Sequence, residues 1–202
     1  MEQEYSDARL RDLSESWVCV TADSLQPPAG RVIKGRRLAG FLTVDPHIGF
    51  RLFVEGEFNR EKSGAPTWGE RWVAWQIDYV DLRTLPMEPL CARDIAGLGL
   101  PERPWGMPAR TPSAVMRCRN YHQLDAMRAP GHPDVVKIWV KIGDNCRGES
   151  LLARMESEEY PDVYHCTLLS APSDSRYLAG TRVIVAHFTI KGERGLYCAW
   201  EA

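Results

Sequence analysis

"DVVKIWVKIGD", residues 134–144, sets Val136, Ile138, Val140 and Ile142 at every second position, with Lys137, Trp139 and Lys141 between them. Successive side chains of an extended chain project to opposite faces, so this period of two is the signature of a half-buried β-strand. Downstream, "GESLLARME" (148–156), "VYHCTLLSAP" (163–172), "TRVIVAHFTIKG" (181–192) and "GLYCAWEA" (195–202) carry further β segments separated by Gly and Pro turn signals. No amphipathic helix interrupts them. Residues 133–202 therefore read as one curled or barrel-like sheet, which disfavours a parallel α/β sheet and its phosphate-binding turns.

Working back from there, Ser113 begins the best helical pattern, about 113–128, with Ser113 as the cap and Pro130 as the stop. Before it, prolines at 86, 89, 101, 104, 108 and 112 break all periodicity and mark an irregular connector. Nearer the start, a short helix in "SDARLRDLSES" (6–16) precedes strands in "WVCVTA" (17–22), "RVIKG" (31–35), "GFLTV" (40–44), "GFRLFVEGEF" (49–58) and "RWVAWQIDYVDL" (71–82). Asp45, Pro46 and Gly49 supply hairpin chemistry between two of these, whereas the polar "EFNREKSGAPTWGERW" (57–72) reads as an exposed loop. The expected fold class is mainly β (α+β): two small antiparallel β-sheet or barrel-like units joined by an irregular Pro-rich segment and one helix. The expected divisions are 1–84, 85–132 and 133–202.

With 202 residues, 44% hydrophobic and 26% charged, the chain has the composition of a globular protein. A formal charge of −2 gives no field of the kind that grips many phosphates, so nucleic acid is not expected as a partner. The acidic opening "MEQEYSDARLRD" lacks the apolar core of a signal peptide and no apolar run approaches a membrane span, so a cytoplasmic protein without a membrane partner is expected. Cysteines at 19, 91, 118, 146, 166 and 198 stand singly and read as free thiols. Cys118 and His122 are one helical turn apart, but no second pair of matching spacing follows, so no metal and no cofactor is expected.

The combination of "KIWVKI" with "YHCTLLSAPSDSRYLAGTRVIVAHFTI" resembles the small YegJ-like domains of unknown function, over about residues 135–192. Trp139, Val140 and Lys141 match that family's first strand; Thr167, Leu168, Leu169 and Pro172 match its second, and Gly180 with Val183 to Val185 its third. Ser170, Ala171 and Thr181 depart from it, standing where the family has Asn, Glu and an acidic residue, and the middle segment is rearranged and longer. The resemblance implies a non-enzymatic β module, similar to domains found in bacterial toxin-immunity proteins. It carries no catalytic residue.

The residues themselves offer no catalytic signature. The chain has no G-x-S-x-G, no phosphate-binding glycine loop, and no cysteine in a setting that would depress its pKa. Glu156, Glu158, Glu159 and Asp162 crowd seven residues beside Pro161, which reads as a solvated acidic loop suited to steering a basic partner. Trp68, in the Gly/Pro loop, and Trp139, on the polar strand face, read as apolar anchors at an interface, while Trp72 or Trp75 packs the core. Lys34, Arg36 and Arg37 in "KGRR" form a weaker phosphate- or anion-binding candidate. The expected function is a non-enzymatic binding protein, immunity- or antitoxin-like, that covers the active site of a basic toxin-like enzyme. The alternatives are an enzyme using His122, His165, Asp78 or Glu159 in a pocket between the two β regions, and a module that binds a small nucleotide through "KGRR".

Overall fold

A computed structural model describes residues 7–22, 25, 36–107, 110–142, 147–173, 177–190 and 192–199. The chain is mainly β and divides into two compact units, Met1–Arg110 and Thr111–Ala202.

The first unit runs α1 (Asp7–Leu13), β1 (Ser16–Ala22), β2 (Arg36–Asp45), β3 (Gly49–Arg60), β4 (Pro66–Asp78), α2 (Tyr79–Leu82), β5 (Met87–Pro89) and α3 (Ala92–Gly97). Its sheet is ordered β4-β3-β2-β1-β5 and every pairing is antiparallel. The β2–β3 turn is built as its sequence dictates: Asp45 Oδ1 accepts the backbone N–H groups of His47 (2.8 Å) and Ile48 (3.0 Å), and Gly49 takes φ 91°. Both sheet faces are covered, so Trp17 to Val20 of β1 form a continuous apolar run. Val18 and Val20 join Leu10, Leu38, Leu42 and Phe50 on one side, while Trp17 and Cys19 join Phe41, Phe58, Leu90 and Leu98 on the other.

Two expectations change in this unit. The stretch 57–72 is not a long loop: β3 continues to Arg60, β4 begins at Pro66, and a short turn closed by Glu61 N–H to Ala65 O (2.9 Å) joins them. Burial of Phe58, paired opposite Trp68, draws the polar stretch into the sheet. Residues 85–110 lie with this unit, supplying β5 as an edge beside β1 and α3, whose buried Asp94 accepts from Arg60 at 2.5 Å. The strand expected in "RVIKG" lies outside the described residues.

The second unit runs α4 (Ser113–Arg119), a 3-10 turn (His122–Met127), β6 (Arg128–Ala129), β7 (His132–Ile142), β8 (Arg147–Tyr160), β9 (Val163–Leu168), β10 (Arg182–Ile190) and β11 (Glu193–Ala199). Strands β7 to β11 form an antiparallel meander. With five strands the last runs in the same direction as the first, so closure is necessarily parallel, through Leu196 opposite Ile138 and Tyr197 opposite Trp139. The result is a barrel with β6 appended to β7. Val136, Ile138 and Val140 fill it together with Leu151, Ala153, Met155, Tyr164, Cys166, Val183, Val185 and Leu196.

The helix expected over 113–128 is broken. Pro112 occupies the N-cap without a side-chain cap bond, Ser113 is the first helical residue, and Tyr121 takes extended dihedrals (φ −84°, ψ 92°) before the 3-10 turn. The break lets Arg119, 1% exposed, form a two-pronged ion pair with Asp134 at 2.6 Å for each arm.

Candidate binding site

The acidic stretch is a β-hairpin, which corrects the expected solvated loop. Met155 belongs to the barrel core, so the register that buries it carries β8 on to Tyr160. Pro161 and Asp162 make the connection to β9, and Asp162 sits at φ 65°, the left-handed position that follows proline in a type II turn. Irregularities in pairing at Met155/Ser157 and Glu158/Tyr160 bend the strand and redirect its side chains.

Each carboxylate except that of Glu156, which is half-buried, has a defined partner. Glu158 accepts from the Tyr121 hydroxyl, and that hydrogen bond is the main cause raising the Tyr121 pKa. Glu159 faces His165 Nε2 at 3.2 Å. Asp162 faces His187 Nδ1 at 3.3 Å, and its backbone carbonyl accepts the His187 N–H at 2.8 Å. Beneath them the Tyr164 hydroxyl is wholly buried and has no hydrogen-bond partner; burial, then the charges of Asp162 and Glu158, push its pKa up. Leaving such a group unpaired costs about 1–3 kcal/mol, so this end of the barrel holds polarity that packing alone does not account for.

Trp139 projects from β7 of the same barrel and is 40% exposed, with Lys137 Nζ 5.7 Å from its ring centroid. Gly148 lies opposite the ring, and a Cβ there would stand 3.4 Å from it. Trp68 differs from its expectation as an exposed loop anchor. It lies within β4, half-buried, donates its indole N–H to Leu98 O at 2.9 Å, and is covered by the Arg71 guanidinium at 4.8 Å.

The basic cluster is engaged internally. Arg36 pairs with Glu57 at 2.6 Å; Arg37 pairs with Glu88 at 2.7 Å, donates to Cys19 Sγ at 3.3 Å and lies over the Phe58 ring. Lys34 lies outside the described residues. His122 lies 3.5 Å from Asp125, and Asp78 of the first unit lies 3.2 Å from Arg51. Among the described residues no group of three or more His, Cys, Asp or Glu is placed to hold a metal, and no helix is long and apolar enough to cross a membrane.

A second feature leaves no pattern in the sequence. In the first unit a cleft of about 620 Å³ is lined from β3 by Phe53 and Glu55, from β4 by Arg71, Trp72 and Trp75, and from the segment after α3 by Trp105. Opposite β3 residues 54 to 56, β4 runs from 75 to 71, so it bulges by two residues and swings Trp72 and Trp75 into edge-on contact at 5.2 Å. Trp75 is core, Trp72 is half-buried, and the Trp72 Nε1, shielded from solvent, has no acceptor. Trp105 is 95% exposed before Gly106 at φ 78°.

No protein-family model, curated protein or solved structure matches the chain.

Proposed function

We propose that the protein is a non-enzymatic binding protein of the immunity or antitoxin kind, and that it neutralises a basic toxin-like enzyme by covering its active site. The observation that carries the reading is the β8–β9 hairpin, where Glu156, Glu158, Glu159 and Asp162 stand on ordered backbone with three of them fixed by Tyr121, His165 and His187. An anionic surface already held in place loses little freedom on binding, which favours tight association, and its charge speeds encounter with a cationic pocket. Trp139 on the same barrel supplies an aromatic anchor of the type that dominates interface energetics. The resemblance of residues 135–192 to YegJ-like domains supports the same reading.

The test is affinity capture of the partner from the native host, followed by titration and an assay of the partner's own activity. An equimolar, salt-sensitive complex in which that activity is lost supports the proposal. A partner whose activity is unchanged in the complex, or a complex indifferent to salt and to Glu156→Lys with Glu159→Lys, overturns it.

A further inference from the structure

We propose that the binding surface extends from the acidic hairpin across β9, β10 and β11 to Trp139, as an apolar strip that receives the apolar rim of the partner's cationic pocket, an assignment that rests on the binding role proposed above. Strand register carries it. Residues directly opposite each other in a sheet share a face, and consecutive pairings link one residue from each strand of the barrel. Tyr160 stands opposite Val163, Val163 opposite Ala186, Ala186 opposite Tyr197, and Tyr197 opposite Trp139. Ile138 and Val140 fill the barrel, so Trp139 and the row it belongs to face outward. Phe188, two residues beyond Ala186 on β10, shares that face, and its ring lies 6.5 Å from the Tyr197 ring. The strands are spaced by about 4.8 Å, so the row runs about 19 Å along the sheet from the hairpin to Trp139.

No residue of the row is charged, although the row lies on the outside of the barrel. Tyr160 is 64% and Phe188 53% exposed, and neither belongs to the barrel core. Contiguous aromatic side chains left in water mark a surface that another molecule covers. Charge at the ends of the strip selects that molecule. Glu159 and Asp162 flank Tyr160 at the hairpin end, so a nucleic-acid strand lying along the row would bring its phosphates onto carboxylates. A second copy would offer its Lys137 and Lys141, the first already beside the Trp139 ring, against the four carboxylates of the hairpin. A protein with a cationic pocket bordered by apolar side chains satisfies both ends of the pattern, its pocket over the hairpin and its rim over Phe188, Tyr197 and Trp139.

The experiment titrates the full chain with two peptides, decalysine and an alternating Lys-Trp decapeptide, by calorimetry at low salt, and follows the free chain by sedimentation. Decalysine meets the hairpin alone, whereas the Lys-Trp peptide also meets the strip and is expected to bind about tenfold more tightly. Tyr160→Ala with Phe188→Ala, which removes two exposed side chains, should reduce that excess to about twofold and leave decalysine affinity unchanged. Tyr160→Ala alone, which keeps the contact between Phe188 and Tyr197, should remove part of it. Equal affinity of the two peptides for the wild-type chain, or an excess that survives both substitutions, overturns the strip and leaves the hairpin reading standing. Decalysine binding indifferent to Glu156→Lys with Glu159→Lys overturns the hairpin reading, and the occupant assigned to the strip with it. Self-association of the wild-type chain that the double alanine variant abolishes, or saturable oligothymidine binding that it loses, overturns the assignment in favour of a second copy or of nucleic acid.

Discussion

The Tyr121 hydroxyl donates to Glu158, so the extended residue between α4 and the 3-10 turn holds a carboxylate of the acidic hairpin in position. Tyr121 also meets Tyr164 edge-on at 6.0 Å, which keeps its ring in place when the hydroxyl is removed. Tyr121→Phe is therefore expected to leave the barrel folded while freeing Glu158. Partner affinity should fall by less than about tenfold, through faster dissociation. Surface plasmon resonance of the variant checks this, and a slowed association with unchanged dissociation would count against a positioning role.

Arg119 and Asp134 join α4 to the start of β7 in a buried, two-pronged ion pair. Removing one member strands the other charge. Arg119→Met is expected to cost about 3–5 kcal/mol, read by urea denaturation monitored in the second unit.

Alkali should destabilise the barrel. Burial, with Glu158 as the next cause, pushes the Cys118 thiol from 9.0 up to about 11, and burial also raises Cys166 and Tyr164. A folded-state pKa above the unfolded one favours the protonated form, so this stability is fully present below pH 9 and is lost as pH rises through 11. Denaturation at pH 8 and pH 11 should show a fall to which Cys118 contributes about 2–3 kcal/mol. Cys118→Ala should flatten the profile by that amount, whatever its effect at pH 8.

Gly56 lies at the β3–β4 irregularity, where a Cβ would stand 2.7 Å from Glu70 O and 3.0 Å from Arg71 Cα. These are backbone atoms and cannot rotate aside. Gly56→Ala is expected to destabilise the first unit by about 1–3 kcal/mol and to displace Arg71 from Glu55, visible as a change in tryptophan emission.

Local period was legible and long-range pairing was not. The alternation in "VKIWVKI" places Val136, Ile138 and Val140 in the core and Lys137, Trp139 and Lys141 on the exposed face, as the structure has them, while the Ile142 side chain lies outside what the structure describes. Closure of the barrel rests on two residue pairs between β7 and β11, too few to leave a pattern in either strand. At the hairpin, charge and Pro161 point to a loop, while the register set by Met155 governs the segment. The cleft escaped because a two-residue bulge in β4 breaks the alternation through which Trp72 and Trp75 would have been assigned to faces, and because Trp105 stands among prolines with no periodic context.

The most direct test of the central claim is the association rate of the captured partner with the wild-type chain and with the Glu156→Lys, Glu159→Lys double variant, measured across salt concentrations. A steered encounter with the hairpin requires the wild-type rate to fall steeply with ionic strength and the variant's rate to be at least about tenfold lower at low salt, the two converging at high salt. Equal rates for the two proteins at low salt would contradict the assignment of the β8–β9 hairpin as the surface that meets the partner.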